Sequence, residues 1–443
     1  MKYRSLALAV STVVVGALAL TGCGSGTPGG GGAPVDENTV VFWQNKFSDE
    51  DNAWYKAQVD AFNAAHDDVQ IQLTVVPGDA WEQKMKAAQA AGNAPDMYTM
   101  NYSAVPMKAR NGELAPITSY IEQSAWDDLE PRFLDAVTVD GEQYAYPLLY
   151  EPSALLLYRT DMFEAAGLDP ANPPKDWAGL IDAGLALKEA NPDVVPFQIA
   201  QNAVELSWTT WASQNGTAGH LPISDDWSTS EASDPAYTPL FQFYQDLYAK
   251  GVIAKQPLSP YGDAAPLGEG KLAMMANGSW GISLLLNSYP DVIDKLGVAA
   301  MPTIDGDTSR SSATLGGWTI GVDAKSKKAE LAASAISWLL AEDTTVPKQY
   351  FIDTKFTKLS PRLSVAAELA EDPAKSVNPF YDVLVESTKS AILEPTYDWQ
   401  VSLAMGTALE KAMLGGDIAE AQAEADAAIT KVIADLKLAD QKK

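Results

Sequence analysis

Cysteine is almost missing: the 443-residue chain holds one, Cys23. A lone thiol makes no internal disulfide and no thiolate metal cluster, so the fold must rest on its core. Histidine is nearly as scarce, and His66 and His220 alone exclude a histidine-rich metal site. Beyond the first residues, arginine stands only at Arg110, Arg132, Arg159, Arg310 and Arg362. Positive charge is outnumbered throughout, with 31 Lys and Arg against 58 Asp and Glu, a formal net charge of -27. Nucleic acid and anionic lipid headgroups would be repelled by such a chain overall. The acids are scattered, as on a solvated surface. No GxSxG nucleophile turn, phosphate-binding loop, cofactor motif or fixed-period repeat is present. "DGD" at Asp305–Asp307 lacks calcium-loop spacing and reads as a turn. After the N-terminal segment no apolar run approaches the length of about 20 residues that spans a bilayer.

At the N-terminus, Lys2 and Arg4 precede an uncharged stretch from Leu6 to Leu20, the pattern of a secretory signal. Leu20-Thr21-Gly22-Cys23 then resembles the bacterial lipobox, in which a diacylglyceryl group joins the cysteine sulfur and the signal is cut just before it. Two acyl chains hold a protein on a bilayer where one binds only marginally. An ordinary signal peptide with a chance cysteine is the alternative. Residues 1–22 are thus read as signal, and 23–38 as lipidated Cys23 with a glycine-rich linker. That linker, "GSGTPGGGGAPVDEN", is too rich in glycine to pack, and a coil of this length spans roughly 20 Å. Losing Lys2 and Arg4 with the signal leaves the chain two charges more negative. The expected location is the extracytoplasmic face of the cell membrane, lipid-anchored.

The remaining chain is long enough for two lobes, and 47% apolar residues rule out disorder. "NTVVFWQNKF" reads as a buried strand ending near Trp43, and Ser48–Ala65 as a helix bringing Trp54, Val59 and Phe62 together. "VQIQLTVVP" is a second strand, Trp81–Ala91 a second helix and "MYTMNY" a third strand, the βαβ pattern of a parallel sheet. A second block follows "YAYPLLYEPSALLLYRTDMF", where a strand leads into a helix near Asp161. "NPPKDWAGLIDAGLALKEA" is a helix with Asp176 as N-cap, and "PAYTPLFQFYQDLYAKG" one closed by Gly251. "EGKLAMMANGSW" reads as a short strand running into a loop, "TLGGWTIGV" as a strand and Lys327–Ala341 as a helix. Gln400–Leu438 gives two alanine-rich helices broken at "GGD".

Several of these pieces together resemble the family 1 extracellular solute-binding proteins of ABC importers, the sugar-binding group that includes the maltodextrin-binding proteins. They are "FWQNK", "AAGNAPDMY", "YAYP…YE…LLLYRTDMFEAAGL", "NPPKDW", "GEGKLAMMANGSW", "LGGWTIGVDAKSKKAELAASAISWLL" and "LEKAMLGGDIAEAQAEADAAI". They span nearly the whole mature chain in the family's order. The resemblance implies an α/β, two-lobe, periplasmic-binding-protein-like fold (type II) with a hinge between lobes. It places 39–148 plus 315–342 in the N-lobe and 149–314 plus 343–443 in the C-lobe.

Ligands of open α/β sheets bind beyond the carboxyl ends of the strands. Here those positions are aromatic: Trp43, Trp208, Trp211, Trp280, Trp318 and Trp399. An indole covers the C–H face of a sugar ring while amides and carboxylates take the hydroxyl rim. "NGSW" stands where the maltodextrin binders have "NGPW" and a stacking tryptophan, so the resemblance puts Trp280 on the ligand, with Asn277 and Ser279 beside it. A core tryptophan is the competing reading. Trp318 follows Gly316 and Gly317, which let backbone approach a ligand, or else it packs the hinge. Glu151 matches a sugar-binding glutamate of the same relatives; a surface ion pair is the alternative. At the first strand's end those relatives carry an aspartate and a lysine, where this chain has Asn45 and Lys46, and Gln44 adds an amide. Their "FW" after "PD" is missing; "MYTMNY" leaves Met100, Asn101 and Tyr102 to shape that wall, so maltodextrin does not carry over as the ligand. Trp208 and Trp211 stand three apart on a helix, and a core position for one of them is the alternative. Tyr397 and Trp399 in "EPTYDWQ" reach the cleft from the C-terminal segment, and Arg362 either donates to hydroxyls or pairs with an acid.

The implied function is a lipid-anchored, monomeric receptor that captures a saccharide of two or more units and delivers it to the transmembrane subunits of an ABC permease, without catalysis, cofactor or metal. A binding protein for a polyamine, amino acid or peptide is a second reading, favoured by the acidity and opposed by the few arginines. A surface glycoside hydrolase is a third; it needs two opposed carboxylates, and no motif sets such a pair.

Overall fold

The first strand, β1 (Thr39–Asn45), turns Val40, Phe42 and Gln44 inward and leaves the alternate residues half-buried. The computed structural model describes residues 36–442. The expected signal, Cys23 and the linker up to residue 35 lie outside the described residues. Asn38–Lys443 form one compact unit.

β1 pairs in parallel with β2 (Gln70–Val76) and β3 (Met97–Asn101). The helix between β1 and β2, Asp49–Ala65, starts on a capping box. Ser48 Oγ accepts from the Asp51 N–H, and the Asp51 carboxylate accepts in return from Ser48. Trp54, Val59 and Phe62 fall on the face packed against the sheet, as their spacing predicts. The next helix, Gly78–Ala91, ends at Gly92 with φ of 71°, a left-handed stop that glycine adopts without cost.

After β4 (Leu114–Ala115) comes a ribbon of β5 (Thr138–Val139) and β6 (Glu142–Gln143), then β7 (Ala145–Pro152). β8 (Leu155–Arg159), β9 (Val195–Gln198), β10 (Leu272–Asn277) and β11 (Leu296–Ala300) make a second, four-stranded sheet in the order β11-β8-β10-β9. β12 (Thr314–Asp323) and β13 (Ile392–Leu393) return to the first, whose order is β13-β12-β3-β1-β2, with β4 and β7 also on β12. Each sheet carries its own core. Phe42, Trp54, Phe62, Trp126 and Ile320 pack together at the large sheet, and Tyr158, Trp177, Phe197, Phe241 and Met405 at the small one.

The chain crosses between lobes at Pro152–Leu155 and again between Ala300 and Thr314. The expected boundaries need correction at the third crossing. Residues after 342 do not pass directly to the C-lobe: Tyr350, Phe351, Phe356, Val365 and Leu369 pack into the large-sheet core. Trp54 meets Tyr350 edge-on at 5.0 Å, which holds the helix Thr345–Asp353 there. Leu384 is the first buried residue to join the small-sheet lobe, and the helices Trp399–Met413 and Ile418–Leu436 complete it. β7 also stays in the large sheet through Pro152, and β12 begins at Thr314.

Two local expectations change as well. The segment after β10 is a helix, Ser279–Ser288, where a loop was expected. Trp208 and Trp211 sit on two short helices, Ala203–Thr209 and Trp211–Ala218, broken at Thr210. Asp176 caps its helix as expected, accepting from the Gly179 N–H at 2.7 Å. Among the described residues, no helix is long and apolar enough to cross a membrane, and no cluster of His, Cys, Asp and Glu could hold a metal ion.

Candidate ligand cleft

A cleft of about 1210 Å³ runs between the two lobes. β1 and β3 end at it, so Lys46–Asp51 with Asn101, Ser103 and Ala104 form its N-lobe wall. β7 and β12 cross its base with Leu149, Glu151, Thr314 and Gly316–Trp318. On the C-lobe side, the helix Ser279–Ser288 contributes Trp280, Ser283, Leu284, Asn287 and Ser288. Steps of three and four place these five side chains on one helical face.

The aromatic residues stand in three groups. Trp280 lies 6.2 Å from Trp208 and 6.5 Å from Tyr261, ring centre to ring centre. Its indole covers Gly278 so closely that a Cβ there would sit 2.0 Å from the ring, which is why "NGSW" needs its glycine. Trp211 and Trp399 meet perpendicularly at 6.4 Å, and the Trp211 Nε1–H donates to Ser402 Oγ at 2.8 Å. Trp399 is 43% exposed at the rim. Across the cleft, Phe47 packs on Trp318 at 4.4 Å.

Polar groups fill the base. Glu151 is buried and accepts a 3.1 Å hydrogen bond from Ser279 Oγ. Burial pushes its carboxyl up to about 7; nearby Lys358 opposes this, and Asp51 adds to it. Lys358 is itself buried and paired with Asp51 at 3.3 Å, and Asp51 also accepts from the Tyr350 hydroxyl. Glu394 accepts from the Ser103 N–H at 3.3 Å. Burial raises it to about 7 as well, against its hydrogen bonds to Ser103 and Gly317 and with a contribution from Glu151. Ser283 Oγ, Asn287 Nδ2 and Thr314 Oγ1, all of cleft-lining residues, are buried without a hydrogen-bond partner, whereas the buried Tyr397 hydroxyl faces Ser402 and Trp211. Buried polar atoms are normally paired, so these three are open positions for a ligand.

Of the residues expected at a binding site, Asn101, Glu151, Trp208, Trp211 and Trp280 line the cleft, as do Gly317, Trp318, Tyr397 and Trp399. Seven others do not. Trp43 packs half-buried against the cluster of Met85 and Tyr98, and Gln44 is buried with its amide on Asn52 Oδ1 at 3.0 Å. Asn45 is held by its N–H on Thr99 Oγ1 at 2.9 Å. These three lie within the strand, whereas the cleft is lined by residues just past its end. Tyr102 turns into the lobe, its hydroxyl on the Leu149 carbonyl at 3.1 Å. Asn277 and Ser279 stand behind the wall, Asn277 on the Tyr261 carbonyl at 2.5 Å and Ser279 on Glu151. Arg362 resolves to the ion-pair reading: buried in the N-lobe, it binds Asp128 at 2.8 Å and the carbonyls of Leu340 and Asp343.

Sequence reasoning missed Phe47, Asp51, Ser283, Asn287, Thr314, Lys358 and Glu394. A helical reading past "NGSW" would have found Ser283 and Asn287 from their spacing. Lys358 and Glu394 carry no local signal, because only the chain's return across the lobes brings them in.

Residues 47–346 match the family model described as bacterial extracellular solute-binding protein. A probable ABC transporter-binding protein of Deinococcus radiodurans is 28% identical over 221 residues, covering 47% of this chain and 50% of that protein. An sn-glycerol-3-phosphate-binding periplasmic protein of Agrobacterium fabrum is 23% identical over 195 residues, 42% of each. The chain thus spans half or less of the length of these two relatives. Among solved structures, an ABC transporter solute-binding protein of Thermotoga lettingae, bound with α-D-tagatose, superposes with a TM-score of 0.76 at 22% identity, over 90% of this chain and 100% of that one. The cyclic α-maltosyl-1,6-maltose binding protein of Arthrobacter globiformis gives 0.72 at 24%, over 91% and 100%. The GacH receptor of Streptomyces glaucescens, solved with acarbose, gives 0.75 at 21%, over 90% and 98%. These likenesses establish the two-lobed fold, and with the family match covering most of its length, the chain belongs to the bacterial extracellular solute-binding proteins.

Proposed function

We propose that this protein is the substrate-binding component of an ABC importer, anchored by lipid on Cys23 at the outer face of the membrane, and that it carries a saccharide of two or more units to the permease. The observation that carries this reading is the cleft wall: it holds the indoles of Trp208, Trp280 and Trp318 together with unpaired hydroxyl and amide groups of Ser283, Asn287 and Thr314. Flat rings take the C–H faces of a sugar, and each buried sugar hydroxyl then needs such a partner. About 1210 Å³ is ample for more than one ring. The ligands named for the structural neighbours support a sugar site, tagatose as a single ring and cyclic maltosyl-maltose and acarbose as oligosaccharides. Binding draws the lobes together, and the closed form is what a permease recognises. The protein acts as a monomer, without cofactor or metal.

The sn-glycerol-3-phosphate named for the Agrobacterium relative suits this cleft poorly, because a phosphate wants an arginine or a free lysine. Among the described residues no arginine lines the cleft, Lys108 and Lys358 are held by Glu113 and Asp51, and the one remaining lining lysine, half-exposed Lys46, has Asp49 at 3.7 Å beside it. One observation favours a second reading. Glu151 and Glu394 share the cleft with raised carboxyls, as a glycoside hydrolase requires of its acid. Calorimetric titration with a panel of di- and trisaccharides, followed by product analysis, tests both. Saturable binding with the sugar recovered intact supports the receptor; release of shorter sugars supports the hydrolase. Binding of spermidine or an amino acid with no response to any saccharide overturns both.

A further inference from the structure

The charge of the cleft carries a narrower conclusion about its ligand. Asp49, Glu50, Asp51 and Glu113 line the N-lobe side, Asp263 and Asp398 the C-lobe side, and Glu151 and Glu394 the base. The lining cations are the three lysines: Lys108 and Lys358 are held by Glu113 and Asp51, and half-exposed Lys46 stands 3.7 Å from Asp49 on the N-lobe side, away from the base. Glu151 and Glu394 are left with uncharged donors, the Ser279 hydroxyl and the Ser103 N–H. Lys358 lies near Glu151, but Asp51 holds its ammonium. Glu151 therefore shares one ammonium, that of Lys358, with Asp51, and Glu394 has no cation among its partners in the described residues.

We infer that the ligand carries a protonated amine as well as hydroxyl groups, an amino sugar or an oligosaccharide containing one, with its ammonium on the carboxylates of Glu151 and Glu394. This rests on reading the cleft as a saccharide site. Removing a carboxylate from water costs free energy unless an opposite charge accompanies it. Burial raises both carboxyls to about 7 without a ligand, and an ammonium placed beside them would favour their charged forms. An ammonium has three donors, enough for two carboxylates and a neutral acceptor. Thr314 Oγ1, unpaired and on a residue more than nine-tenths buried, offers that acceptor in the same cleft. The indoles favour a cation over their faces as well as sugar C–H groups.

Calorimetric titration of the full-length protein at neutral pH with matched pairs tests this: the β-1,4-linked glucosamine dimer against cellobiose and against the N-acetylated dimer, with spermidine as the sugar-free cation. The expected result is an amine-bearing dimer bound at least about tenfold tighter than either neutral partner. In Glu394→Gln and Glu151→Gln, each checked for an intact thermal transition, that preference falls about tenfold. Neutral dimers bound as tightly as the amine overturn this inference and leave the saccharide site standing. Spermidine bound tighter than every dimer overturns the sugar part. No binding by any saccharide or by spermidine overturns both this inference and the saccharide reading.

Discussion

Ser279 donates a 3.1 Å hydrogen bond to Glu151, joining the helix that carries Trp280 to the strand that leaves the large sheet. The bond links the lobes at the base of the cleft, and it does so through a carboxyl held near 7 by burial. Between about 4.5, the ordinary value, and about 7, the folded protein keeps a proton on Glu151 that the unfolded chain has released. Stability contributed by this group is therefore greatest below 4.5 and is lost as pH rises through about 7. Glu394 acts in the same direction over the same window.

The first prediction compares melting profiles. Glu151→Gln mimics the protonated acid, so from about pH 5 to about pH 8 the ligand-free wild type should lose roughly 1–3 kcal/mol relative to this variant. A wild type that gains stability over the variant across that range would refute the assignment.

Trp280→Ala removes the indole that covers Gly278 and faces Trp208. Affinity for the best saccharide should fall more than about tenfold, a change above about 1.4 kcal/mol. The ligand-free protein should still melt cooperatively. Unchanged affinity by calorimetry would take Trp280 out of the site.

Arg362→Ala should act on the fold and spare the site. It leaves Asp128 and the carbonyls of Leu340 and Asp343 without their buried donor, a loss of about 3–5 kcal/mol. Denaturant melts should show that loss, with saccharide affinity within about threefold of wild type at a temperature where the variant is folded. A stable variant with lost binding would mean that Arg362 reaches the ligand.

Gly317→Ala should be costly although the change is one methyl. A Cβ there would lie 2.2 Å from the Leu149 carbonyl oxygen and 2.8 Å from the Tyr150 Cα. β7 and β12 would have to part at the cleft base, next to the irregularity between Trp318 and Thr319. The expected loss is roughly 1–3 kcal/mol, read from melting, together with weaker binding. A neutral substitution would show that this crossing tolerates separation.

Most of the fold was legible because local chemistry and tertiary structure agree. Ser48 and Asp176 cap the helices their positions announce, and "VQIQLTVVP" is a strand with Ile71 buried and Gln72 exposed, its alternation lost only at exposed Val75 and buried Val76. Legibility failed where distant packing decides. "NGSW" contains the residues of a turn, yet it opens a helix because Leu285 and Leu286 beyond it are buried in the small-sheet lobe. Residues after 342 carry no mark of their lobe; the ring of Trp54 against Tyr350 fixes it. The site divides in the same way. Tryptophans near strand ends could be listed as candidates, and five of them line the cleft. Gln44 and Arg362 could not be separated from them, since burial alone shows that their polar groups are spent within the N-lobe.

Tryptophan emission titrated with saccharides tests the central claim most directly, because Trp208, Trp211, Trp280, Trp318 and Trp399 all line the proposed site. The account predicts a saturable spectral change with at least one saccharide, matched by calorimetric affinity and strongly weakened in Trp280→Ala. A panel in which no saccharide alters the emission or stability, or a response that survives unchanged in that variant, would contradict it.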